Sequence, residues 1–196
     1  MGGEPRMSTK RRLIVGISGA SGVDLGVRVL ELLRTTDVET HLILSKAADL
    51  TRSLESRHSA ETIRALADVV HAPGDVSASL SSGSFRTMGM IIAPCSVKTL
   101  AEIASGISSS LMSRAADVVL KERRRLVLLV RETPLNLIHL RNMATVTEAG
   151  AIVMPPVPAW YVGPTTMDDC LTQTAARAID LFDIETPDII RWREPE

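Results

Sequence analysis

Five largely apolar runs constrain this chain most. They are RLIVGIS (12–18), ETHLILS (39–45), MGMIIAP (88–94), RLVLLVR (125–131) and AIVMPP (151–156), and segments with helical spacing separate them. A strand with one face in water alternates polar and apolar side chains, whereas a strand covered on both faces reads as a continuous run. The runs therefore predict a sheet buried between helices. The spacing predicts helices over 22–34, Lys46–Glu55, a stretch beginning at Ser59 with a partial Ser59/Thr62 cap, Val97–Ala104, Leu111–Glu122, 136–150 closed by Gly150, and Met167–Phe182. Strand and helix alternate, which gives an open, mostly parallel, three-layer α/β sandwich with its site beyond the carboxyl ends of the strands. Residues 71–88, rich in Gly, Ser, Asp and Pro, predict a long loop with a functional or mobile role.

Composition agrees with one domain over residues 11–196, preceded by a polar leader or expression remnant at 1–10. Hydrophobic residues make up 45% of the 196, but aromatic ones only 3%, so aliphatic side chains must fill the core. Lys and Arg number 22 against 23 Asp and Glu, which argues against a protein built to hold nucleic acid. Cys95 and Cys170 form neither a disulfide framework nor a zinc-ligand pattern, and no metal site is expected. The reading is a cytoplasmic protein without a membrane span.

GISGASG, residues 16–22, closes the first strand. Its glycines, Gly16, Gly19, Gly22 and Gly26, miss the dinucleotide spacing, and Glu39 precedes the second strand instead of following it. No lysine follows the glycines, which removes the ATP-type phosphate loop. Two readings stay open. One is an anion cradle at a helix N-terminus, with Ser18, Ser21, Ser45 and Lys46 as donors. The other is a tight turn whose serines only cap the helix. Further candidates are PCSVKTL at a strand end, the serines of SSGS (81–84), Arg114 and Lys121 two helical turns apart on one face, Arg131–Glu132 at the end of an apolar strand, and Arg177.

GISGASG, HLILSKAA, LSSGSFRTMGM, PCSVKTL, RAADVVLKERR, LVRETPL, MPPVPAWY and the closing RW together resemble flavin prenyltransferases of the UbiX and Pad1 type, from Arg12 to Trp192. The resemblance implies a homo-oligomeric, Rossmann-like or flavodoxin-like enzyme, dodecameric in the family. It would join the dimethylallyl group of dimethylallyl monophosphate to N5 and C6 of reduced FMN. The product, prenylated FMN, would pass to a partner decarboxylase. It further implies that Gly19, Ala20, Ser21, Ser45, Glu55, Ser96, Val97, Thr99 and Arg131 hold FMN. Arg114, Lys121, Arg131, Tyr161 and Arg177 would hold the donor, and Glu132, Ser21 and Trp192 would serve catalysis. Val23-Asp24-Leu25 departs from the family pattern, with Asp24 expected to face solvent, and Trp160 stands where phenylalanine is common. Competing readings are an FMN-dependent cysteine decarboxylase, a non-catalytic flavin-delivery subunit, and direct decarboxylation of an aromatic acid.

Overall fold

The computed structural model describes residues 10–193. The expected leader lies outside them except for Lys10, whose ammonium pairs with Glu39. Six strands form the sheet: β1 (Arg12–Ile17), β2 (Glu39–Leu44), β3 (Val69–His71), β4 (Gly89–Cys95), β5 (Arg125–Val130) and β6 (Ile152–Val153). Among the described residues seven α-helices accompany them: α1 (Asp24–Leu33), α2 (Lys46–Glu55), α3 (Ala60–Ala65), α4 (Val97–Ala104), α5 (Leu111–Lys121), α6 (Leu137–Glu148) and α7 (Met167–Asp180). The strand order is β3-β2-β1-β4-β5-β6, and all five pairings are parallel, where a mostly parallel sheet was expected. β3 was not expected at all, and the loop read over 71–88 begins with its last residue.

The continuous runs behave as double-sided strands must. Leu13, Val15 and Ile17 of β1 point to one face, with Leu42, Leu44, Ile91, Val127 and Leu129 beside them. α1 and α7 cover that face through Val27, Leu30, Ala175 and Ile179. Ile14, Met90, Ile92, Leu126, Leu128 and Val130 point the other way, beneath Leu100 of α4, Ala115 and Val119 of α5, and Val146 of α6. Gly26 lets α1 lie directly on the sheet: a Cβ there would stand 2.2 Å from the Ala93 carbonyl oxygen.

Winding reverses between β1 and β4, because the chain moves outward through β2 and β3 and then returns to the other side of β1. Parallel sheets leave a crevice at that place, beyond the carboxyl ends of the two strands. Ser18 ties those ends together. Its hydroxyl donates to the Pro94 carbonyl (2.8 Å) and accepts from the Ser96 amide (2.7 Å), and the residue is fully buried. That removes Ser18 from the anion donors expected of the glycine loop.

A polar network fastens the opposite end of the sheet. Glu39 takes Lys10 and Arg12 and reaches His41 Nε2 at 3.1 Å, and His41 Nδ1 lies 2.9 Å from His71 Nε2. Hydrogen bonds from Lys10 and Arg12 bring the Glu39 carboxyl from 4.5 down to about 2. A depressed carboxyl stabilises the fold above its unfolded pKa, and that contribution disappears as pH falls through the folded value. Glu39→Gln is therefore expected to destabilise by about 1–3 kcal/mol at neutral pH. In thermal melts, the gap from wild type should close as pH drops from about 4.5 toward 2. A gap independent of pH would contradict this account.

Candidate flavin and donor sites

A cavity of about 590 Å³ opens at the β1/β4 crevice. Three helix N-termini converge on it, and two of them, those of α2 and α4, are capped so that amides remain for a ligand. Ser45 caps α2 by accepting from the Ala48 amide, and Ser96 caps α4 by accepting from the Thr99 amide. The capped amide is the third of each helix, so Lys46, Ala47, Val97 and Lys98 present first-turn amides with no intrahelical acceptor. Both helix dipoles add positive potential at the same place. Gly19 lets the loop after β1 approach α2, since a Cβ on it would meet the Ala47 Cβ at 2.5 Å.

The third N-terminus, that of α1, is already satisfied. Glu55, at the end of α2, accepts from Ser21 Oγ (2.7 Å) and from the amides of Gly22 (2.5 Å) and Val23 (3.1 Å). Burial pushes the Glu55 carboxyl up, but the bonds from Ser21, Val23 and Gly22 outweigh it, and the Arg131 charge adds to them. The carboxyl therefore lies below its usual range. An anion in the cavity thus finds free amides at α2 and α4, while the amides of the α1 cradle hold a carboxylate of the chain itself. Asp24, expected in solvent, is half-buried, and its carboxylate accepts the Ser56 hydroxyl. That contact holds it at the end of α2.

Gly19, Ala20, Ser21, Ser45, Ser96, Val97, Thr99, Arg131 and Glu132 all line the cavity, and Glu55 joins them through Ser21. Arg131 follows β5, with its amide donating to the Cys95 carbonyl (3.0 Å). The Glu132 carboxylate accepts the Thr133 amide (2.9 Å). Sequence reasoning passed over Pro73, Gly74, Glu102 and Ser109 in the wall. Glu102 receives Lys98 Nζ (2.7 Å) and Ser109 Oγ (2.6 Å). Only the Pro/Gly/Ser content of 71–88 hinted that this loop borders a site.

The remaining five residues stand elsewhere on the chain. Arg114 and Lys121 lie on α5 against the 79–85 segment. Arg114 donates to the Ser81 carbonyl (3.1 Å), and Lys121 pairs with Glu122 beside Gly83. The carbonyls of this segment are held by arginines, Gly83 by Arg124, and the SSGS serines (81–84) do not line the cavity. Tyr161, Arg177 and Trp192 line a second cavity of about 320 Å³ between α7 and the C-terminal segment. The Tyr161 and Trp192 rings meet edge to face at 5.3 Å.

The fold and the first cavity define a doubly wound α/β protein built to hold a phosphate-bearing ligand at its switch point. A family model described as Flavoprotein matches residues 1–180. Flavin prenyltransferase UbiX of Neisseria meningitidis serogroup B is 57% identical over 183 residues, spanning 93% of this chain and 97% of that protein. The crystal structure of AnUbiX (PadA1), described as a complex with FMN and dimethylallyl pyrophosphate, superposes with a TM-score of 0.93 at 53% identity, covering 96% of this chain and all of that one. A dodecameric FMN-dependent UbiX-like decarboxylase from Escherichia coli O157:H7 superposes with a TM-score of 0.91 at 51% identity, covering 93% and 100%. The chain belongs to the flavin prenyltransferase family of flavoproteins. Its family and its enzyme class, a prenyltransferase, are those read from the motifs.

Proposed function

We propose that the chain transfers the dimethylallyl group of dimethylallyl monophosphate to N5 and C6 of reduced FMN. The prenylated FMN then passes to a partner decarboxylase, and the site is completed between subunits of a dodecamer. Residues 11–196 act as one domain, and the compartment is the cytoplasm. Among the described residues no helix is long and apolar enough to cross a membrane.

The single observation that carries this reading is the separation of the cationic residues. Arg131 lines the flavin cavity, while Arg114 with Lys121, and Tyr161 with Arg177 and Trp192, lie on two other parts of the chain. A donor phosphate needs several of these groups at once, and packing copies of the chain together supplies them. The dodecameric relative supports such packing. So do the apolar side chains exposed on α6, Leu137, Ile138 and Leu140.

FMN fits the first cavity on the evidence of its donor set. The α2 and α4 amides with Ser45 and Thr99 suit a phosphate, and the small residues Gly19, Ala20 and Ala47 leave room above them. When bound in reduced form, the flavin supplies the nucleophilic positions. Lys121, Arg131 and Arg177 stabilise negative charge as the allylic C–O bond breaks and phosphate departs, and Tyr161, whose hydroxyl donates to the Ile190 carbonyl, shapes the wall beside Arg177. Trp192 offers an aromatic face to the positive allylic fragment, and enclosure keeps water from capturing it. Glu132, at the cavity rim, is placed to accept the proton released as the second bond closes.

Subunit complementation tests the shared site. Arg131→Ala and Tyr161→Phe homo-oligomers should each lose most of their activity. Dissociated and reassembled together, they should regain part of it, because some sites then contain neither substitution. Recovery no greater than the sum of the parents would contradict the shared site.

A further inference from the structure

We propose that Gln173 is a positioning residue whose side-chain amide latches the C-terminal segment onto α7 and so sets the geometry of Tyr161 and Trp192 for the donor. The inference rests on the donor site proposed above. Gln173 Nε2 donates to the Asp188 carbonyl (2.6 Å), and Gln173 Oε1 accepts the Ile190 amide (3.1 Å). A carbonyl at one residue and an amide two residues later are the pair that a parallel strand neighbour would engage. One planar side chain therefore satisfies both groups and fixes residues 188–190 against α7.

The consequences reach the two aromatic residues directly. The carbonyl of the latched Ile190 accepts the Tyr161 hydroxyl (3.2 Å). Two residues on, Trp192 meets the Tyr161 ring. Gln173, Tyr161, Arg177, Ile190 and Trp192 all line the 320 Å³ cavity. The fold does not need the latch. Phe182 and Ile184 are buried in the core, so the chain stays anchored upstream of the latched residues. Arg191 adds a second hold through Asp180 (2.6 Å), which also pairs with Arg177. Leucine at 173 keeps the bulk of glutamine and removes both bonds.

The test compares Gln173→Leu with wild type in three readings. Amide exchange at Ile190 should accelerate at least tenfold while exchange in β1 and β4 stays unchanged. With dimethylallyl monophosphate and reduced FMN, KM for the donor should rise about tenfold, the scale of one lost hydrogen-bond pair, while kcat and FMN affinity change little. In a Tyr161→Phe background the same substitution should raise KM by less, since part of the Gln173 effect runs through the Tyr161–Ile190 contact that is already lost. Unchanged Ile190 exchange overturns the latch. A KM increase that persists undiminished beside Tyr161→Phe, or a matching fall in FMN affinity, overturns the positioning role. If wild-type protein forms no prenylated flavin, the donor-site reading fails, and Ile190 exchange still judges the latch on its own.

Discussion

Lys121→Ala is expected to bind FMN as tightly as wild type and to form prenylated flavin about 100- to 1,000-fold more slowly, the usual effect of removing one oriented group from a developing anion. Lys121 is exposed at the end of α5, outside the flavin cavity, so neither the fold nor the cofactor depends on it. Its local partner, Glu122, is a solvated neighbour whose loss has little energetic weight. FMN affinity from fluorescence titration and anaerobic turnover with dimethylallyl monophosphate separate the two properties. Undiminished product formation would remove Lys121 from the donor site. Arg131→Ala should behave differently, because Arg131 borders the flavin cavity and acts on Glu55. It should weaken FMN binding and turnover together.

The second large effect concerns the fold beneath the site. Gly26→Val should lower stability by at least about 3 kcal/mol, or about 6–12 °C in Tm for a chain of this size. The first added carbon already meets the Ala93 carbonyl at 2.2 Å and Ile17 Cγ1 at 2.7 Å, and neither backbone nor packed strand residue can withdraw. α1 would have to lift from β4, which opens the floor of the crevice. Gly74→Ala is the matched control, since a Cβ there meets nothing within 4 Å, and its Tm should stay within about 1 °C. Equal melting of Gly26→Val and wild type would contradict the packing described for α1.

The long strands and most helices were legible because burial on both faces leaves an uninterrupted apolar run, as in Leu13–Ile17 and Leu126–Val130. β3 was not, for a physical reason. It is a three-residue edge strand with Val70 exposed, so neither a run nor an alternation long enough to read exists. Ser18 looked like the other serines of its loop. Only the meeting of β1 with β4, residues far apart in sequence, commits its hydroxyl to Pro94 and Ser96. Ser21 and Glu55 are likewise joined by tertiary contact across α2, which local spacing cannot express. Caps were readable residue by residue: Ser59 with Thr62, and Gly150 in the left-handed region after α6. The family motifs singled out Lys121, Tyr161 and Arg177, but motifs carry no information about where the fold places them: Tyr161 and Arg177 line the smaller cavity, and Lys121 lies beside Gly83.

The central claim is that FMN is the acceptor and a dimethylallyl phosphate the donor. Mass spectrometry of the flavin after anaerobic incubation with reduced FMN and dimethylallyl monophosphate tests it most directly. The account predicts a flavin heavier by one isoprene unit, with inorganic phosphate released in equal amount. Recovery of unmodified FMN from protein that binds the flavin would contradict it.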